Sequence, residues 1–169
     1  DLYVKCSRAF KKICASYTPV MESFSIDEVF LDMTGTSLLY PDPIAAAHEI
    51  KDRISDELGF TVNVGISTNK LLAKMASDFE KPNKVHTLFP EEIPAKMWPL
   101  PVRELLFLGK ASEKKLTEAG IRTIGDLAQM NPELLEIHLK SHGRKLWEFA
   151  NGMDNSPVEP VRQEAKGIG

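Results

Sequence analysis

The chain has 169 residues, 43% hydrophobic and 27% charged, which fits an ordinary globular protein of one domain or two small ones. Its formal net charge of −3 excludes a strong basic footprint: residues 1–100 carry 11 Lys/Arg against 14 Asp/Glu, and residues 101–169 carry 10 of each. No run approaches the roughly 18 apolar residues of a membrane span, so a membrane role is not expected, and any claim on nucleic acid must rest on particular sites. The chain opens "DLYVKCSRAFKKI", with neither Met nor a signal sequence, as though cut from something longer. Cys6 and Cys14, the only cysteines, lie too far apart along a predicted helix for a bridge, and a reducing cytosol is the simplest setting.

In chain order, Phe10, Ile13, Cys14 and Tyr17 predict a helix over 2–16, stopped by Pro19. Residues 20–25 and 28–34 read as strands with a tight turn at Ile26–Asp27, and Gly35 closes the second. "YPDPIAAAHEIKDRISDELG" is a punctuated helix: Asp42 fits the N-cap, Pro43 the first turn and Gly59 the C-terminal cap. Alternation of Phe60, Val62, Val64 and Ile66 predicts a half-buried strand. It runs into a helix buried through Leu71, Leu72, Met75 and Phe79 and ended by Pro82. A strand over 84–89 and a helix over about 91–97 follow. Beyond "WPLPVREL" there is no strand pattern, only helices at roughly 102–107, 112–119, 124–129, 132–138 and 142–151, joined by turns containing Gly109, Gly120 and Gly143. Strands alternating with helices, then helices alone, predict an α+β protein: a mixed sheet with packed helices, followed by a small all-helical domain.

Three places invite chemistry. Asp27 and Glu28 stand side by side in the strand-like run "SFSIDEVFLDMTG". Neighbours in a regular strand point to opposite faces, so the pair converges only at a bend. Two readings stay open, a solvated turn with two acids or a hard-cation site shared with phosphate oxygens. In "GISTNKLLAK", Lys70 falls in the first turn of a helix with Lys74 one turn on, both unfavourable. An anion held by Lys70 and the free N–H groups would remove the penalty; two solvated lysines are the alternative. In "LLFLGKASEKKLTEAGI", a glycine hairpin precedes a helix that Ser112 could cap. Such a hairpin either holds a DNA phosphate or is an ordinary helix connection.

Taken together, "SFSIDEVFLDMTG", "VNVGISTNKLLAKMASDFEKPN" and "LPVRELLFLGKASEKKLTEAGI" resemble, in that order, the Y-family translesion DNA polymerases of the DinB/UmuC branch, nearest to UvrX-like and ImpB/MucB/SamB-type proteins. The resemblance implies a partial palm over 1–99, a thumb with helix-hairpin-helix motifs over 100–156, and a linker over 157–169 toward a little finger domain. It implies that Asp27 and Glu28 are catalytic and hold Mg²⁺, two ions in a full-length parent. Lys70 matches the lysine that contacts the triphosphate of an incoming dNTP. Gly109, Lys110 and Ser112 fall in the first DNA-holding hairpin, and "KSHGRK", with Gly143 and Arg144, in the second.

The implied partners are primer-template DNA and dNTP, with a sliding clamp reached through regions C-terminal to this chain. The implied setting is cytoplasmic DNA repair, damage bypass and the SOS response. The family's remaining metal-binding aspartate and its fingers domain belong upstream of Asp1, and Asp32 does not replace that aspartate on pattern grounds. The fragment is therefore expected to be inactive alone. Phe107 stands where relatives often have Gly, which implies a differently shaped first hairpin. Two other classes compete: a non-catalytic DNA-binding or partner-binding module on the same scaffold, and a nucleotidyl cyclase, for which the helical domain has no evident use.

Overall fold

The computed structural model describes residues 1–160. Residues 161–169, most of the expected linker, lie outside the described residues. The chain divides into two compact units. The first comprises Asp1–Asn63, Pro82–Val85 and the described residues from Pro157 on; the second comprises Val64–Lys81 and His86–Ser156.

The first unit is built on α1 (Leu2–Ala15), the hairpin of β1 (Met21–Ser25) and β2 (Glu28–Leu31), and α2 (Pro43–Leu58). Asp1 caps α1 through its side chain, which accepts from Tyr3 N. The punctuation of α2 is as the sequence predicts. Asp42 accepts from Ile44 N and Ala45 N, and Gly59 ends the helix with φ 76°, a left-handed conformation that costs glycine little. Phe10, Ile13, Cys14 and Tyr17 of the α1 region pack against Ile50 and Ile54 of α2, with Met21, Val29 and Leu31 of the hairpin laid over them. Burial of this kind, about 25 cal/mol per Å² of apolar surface removed from water, is what holds so small a unit. It also pushes the Cys14 thiol up to about 11.

The second unit contains β3 (Val64–Ile66), α3 (Lys70–Ser77), β4 (Val85–Thr87, whose first residue belongs to the other unit), α4 (Ile93–Lys96) and α5 (Lys110–Glu118). It continues with α6 (Ile124–Ala128), α7 (Pro132–Leu139) and α8 (Ser141–Ala150). One core joins Leu71, Leu72 and Met75 of α3 to Ile93, Met97, Leu116, Ile124, Leu127, Leu135 and Leu146. Gly65 permits the tightest approach. A Cβ there would lie 1.9 Å from the Ala73 carbonyl oxygen, so β3 and α3 meet backbone to backbone.

The structure is α+β, and its described residues form two two-stranded sheets, β1–β2 and β3–β4. Among the expectations that need correction are these three. The strand expected from Phe60 begins only at Val64. Phe60 and Val62 instead pack on the first unit's core, and the Asn63 side chain accepts from Lys84 N. The helix expected over 102–107 is a single 3₁₀ turn, Val102–Glu104, because Leu105 turns extended. Gly143 lies inside α8 rather than in a turn. A Cβ on it would be 2.3 Å from the Leu135 carbonyl oxygen, so this glycine serves the close packing of α7 and α8. The turn before it is made by Lys140, at φ 62°.

Candidate active site and nucleic-acid contacts

The acidic turn belongs to the first unit. β1 and β2 pair antiparallel, Met21 opposite Leu31 and Ser23 opposite Val29. The register slips between Ser23 and Ser25, which inserts Phe24 as an extra residue and brings Ser25 opposite Glu28. The bulge and the two-residue turn resolve the difficulty that adjacent carboxylates pose in a strand. Ser25 Oγ lies 2.8 Å from Asp27 Oδ1 and 3.1 Å from Glu28 Oε2, so both carboxylates converge on one hydroxyl. That hydroxyl has a single proton and serves one acid at a time.

The turn is held from α1 by two residues that the sequence reading did not single out. Buried Ser7 donates its hydroxyl to the Ile26 carbonyl, and Lys11 Nζ donates to the Ser25 carbonyl at 2.9 Å. Their i, i+4 spacing puts both on one helix face, and a buried Ser beside the apolar stripe was the available signal. Asp32 stands apart from the turn. Its carboxylate accepts from Thr34 N at 2.9 Å, and the Thr34 hydrogen bonds hold it below the usual carboxylate range. Among the described residues no three His, Cys, Asp or Glu side chains group as a metal site. Asp27 and Glu28 offer carboxylate oxygens of the kind a hard cation takes.

Lys70 begins α3 in the second unit, half-buried. Here the expectation of free backbone donors is overturned. Asn69 Oδ1 caps Leu72 N at 2.9 Å, and Leu71 N donates to Asp154 Oδ2 at 3.2 Å. The anion at this helix N-terminus is a side chain of the same chain. Lys74 pairs with Asp78 at 3.2 Å, which offsets its proximity to Lys70. The Leu71 and Leu72 backbone donors are thus already taken within the chain.

In the first hairpin, α5 starts at Lys110, two residues before the expected cap. Gly109 is the N-cap, and Ser112 lies within the first turn. No side chain caps α5, and Gly109 and Lys110 are exposed. The left-handed residue of this hairpin is Phe107, at φ 69°. Its ring lies 5.9 Å from that of Phe149, over which Lys145 Nζ stands at 5.2 Å. Lys145, unremarked in the sequence, thus brings a cation to the hairpin's aromatic flank. In the second hairpin, Arg144 Nε is paired with Glu136, which raises the guanidinium's already high pKa.

The family model described as "impB/mucB/samB family" matches residues 1–78, and the one described as "IMS family HHH motif" matches residues 90–121. Together they take in well over half of the chain, the acidic turn, α3 and the first hairpin among it. The chain belongs to the impB/mucB/samB family, the Y-family DNA polymerases.

Among its relatives is the DNA polymerase IV of Clostridium acetobutylicum, 50% identical over 168 residues, which covers 99% of this chain and 42% of that protein. The DNA polymerase IV of Acetivibrio thermocellus is 45% identical over 158 residues, 94% of this chain and 40% of its own length. Of solved structures, DinB from Sulfolobus solfataricus is similar with a TM-score of 0.82 at 28% identity, covering 94% of this chain and 47% of that one. The insertion ternary complex of Dbh DNA polymerase has a TM-score of 0.81 at 29% identity, covering 94% of this chain and 46% of that one. The chain thus spans less than half the length of the relatives it matches.

Proposed function

We propose that the chain is the palm-and-thumb part of a template-directed translesion DNA polymerase, which transfers a nucleotide from dNTP to a primer 3′-hydroxyl. On this reading residues 1–99 form part of the palm, residues 100–156 the thumb, and residues from 157 a linker toward a little finger domain. The observation that carries it is the acidic turn: Asp27 and Glu28 brought to one hydroxyl, Ser25, by a bulged hairpin.

Asp27 and Glu28 are the catalytic carboxylates and would hold Mg²⁺ together with oxygens from substrate and from elsewhere in the polymerase. Bound there, the metal supplies charge neutralisation and activation for in-line phosphoryl transfer. Ser7 and Lys11 keep the turn in place, so the two acids need not reorganise when the reactants arrive. Lys70 contacts the triphosphate as a point charge. Gly109, Lys110 and Ser112 offer an uncapped helix start to a DNA phosphate, and Gly143 and Arg144 belong to the second hairpin, where DNA binding would compete with Glu136 for Arg144. Primer-template DNA, dNTP and a clamp engaged through other regions are the partners, in cytoplasmic damage bypass and the SOS response.

The test is a chimera in which residues 1–169 replace the matching stretch of the Clostridium acetobutylicum DNA polymerase IV. It should extend a primer. Asp27→Ala and Glu28→Ala should each abolish extension while primer-template binding persists, and the isolated chain should not extend at all. Unchanged extension in either variant would rule out the catalytic assignment. A binding module on the same scaffold predicts instead that the chimera holds DNA and never extends it.

A further inference from the structure

The segment that follows α8 returns to the start of α3. Gly152 ends α8 in a left-handed turn, φ 77°, with its N–H on the Phe149 carbonyl at 2.9 Å and Met153 N on the Glu148 carbonyl at 2.9 Å. The turn delivers two groups to α3. The Gly152 carbonyl accepts from Asn69 Nδ2 at 2.9 Å, and Asp154 Oδ2 accepts from Leu71 N at 3.2 Å. The other carboxylate oxygen of Asp154 accepts from Ser156 N at 3.0 Å and Ser156 Oγ at 2.7 Å, which fixes its orientation. A residue 83 positions along the chain therefore holds the first turn of α3.

We infer that Asp154 is a positioning residue for Lys70: it anchors the first turn of α3 and so sets where the lysine presents its charge to the nucleotide. This rests on the reading of Lys70 as the triphosphate contact. Two physical effects combine. The first N–H groups of a helix have no intrahelical acceptor and leave that turn prone to fray, and a carboxylate hydrogen-bonded to one of them ties it down. Because Asp154 and Asn69 occupy the Leu71 and Leu72 donors, a phosphate cannot seat on those two groups.

The experiment is a double-mutant cycle in the chimera, read as the nucleotide KM and kcat. Asp154→Ala should raise the nucleotide KM on the order of tenfold, as expected from losing one charge-assisted hydrogen bond, with a smaller change in kcat. Asp154→Asn, which keeps an acceptor oxygen, should restore most of the loss. In a Lys70→Ala background Asp154→Ala should add little, because its effect passes through the lysine. Amide exchange of Leu71 in the 169-residue chain should accelerate in Asp154→Ala. If Asp154→Ala does not fold, Ser156→Ala, which unties the carboxylate, replaces it in the cycle. A raised KM in Lys70→Ala with a fully additive second substitution, or an unaltered KM in Asp154→Ala, would overturn the positioning role alone. An unaltered KM in Lys70→Ala would overturn the Lys70 reading and this inference with it.

Discussion

Lys11 Nζ lies 2.9 Å from the carbonyl oxygen of Ser25, the residue whose hydroxyl meets both Asp27 and Glu28. A cation on α1 thus grips the backbone of the acidic turn from behind, one helical turn from the buried hydroxyl of Ser7 that holds Ile26. The grip falls on the backbone and takes no oxygen from either carboxylate.

Ser7→Ala should therefore destabilise the first unit by about 1 kcal/mol, the usual cost of removing a partner from a buried carbonyl. Lys11→Ala, at a more exposed group, should cost less. Thermal unfolding of the 169-residue chain measures both. In the chimera the double variant should extend primers more slowly with primer-template affinity unchanged; full-speed extension would mean that the acids find their places without α1.

Two glycines separate packing from DNA contact. Gly143→Ala puts a Cβ 2.3 Å from the Leu135 carbonyl oxygen, so α7 and α8 must separate, at a cost of roughly 1–3 kcal/mol. Gly109→Ala meets nothing within 4 Å and keeps an ordinary backbone, so its melting temperature should match that of the unsubstituted chain. If a phosphate approaches the start of α5, Gly109→Ala should nonetheless weaken DNA binding by the chimera, read by fluorescence anisotropy across a salt series. Equal affinity would place the phosphate elsewhere.

The second unit should lose stability in acid. The Lys96 ion pair and then the Phe89 N–H hold Glu92 below its ordinary value, and the N–H groups of Arg122 and Thr123 do the same for Asp126, the capping carboxylate of α6. A depressed carboxylate contributes stability that is fully present above its unfolded value and is lost as pH falls through the folded one. The melting temperature should therefore drop below about pH 4. Glu92→Gln and Asp126→Asn should each start lower at neutral pH and fall less steeply. Curves parallel to that of the unsubstituted chain would show that other groups govern the acid limb.

Much of the local structure is legible in the sequence because it depends on near neighbours. Asp42, Pro43 and Gly59 bound α2 as their chemistry requires, and the two-residue turn at Ile26–Asp27 follows from the two strands beside it. The readings that fail depend on the preceding loop or on a distant neighbour. Ser112 has the chemistry of a cap, but α5 has already begun at Lys110, where the chain leaves the left-handed Phe107. Gly143 looks like a turn residue until the carbonyl of Leu135 is found against it. Phe60 and Val62 alternate like a strand, yet their side chains serve a core and Asn63 gives its side chain to Lys84 N.

By itself, then, the sequence determines the helices with strong caps, the hairpin that carries Asp27 and Glu28, and the family resemblance, because each rests on residues close together in the chain. Only the tertiary structure decides what those residues meet. It bulges β1 so that both acids reach Ser25, and it places Ser7 and Lys11 behind the turn. It also supplies Asp154 to the helix start that the sequence had left open for an outside anion. The physical reason is that a helix N-terminus advertises unsatisfied donors in its local sequence, whereas the acceptor that satisfies them can come from anywhere the fold returns the chain.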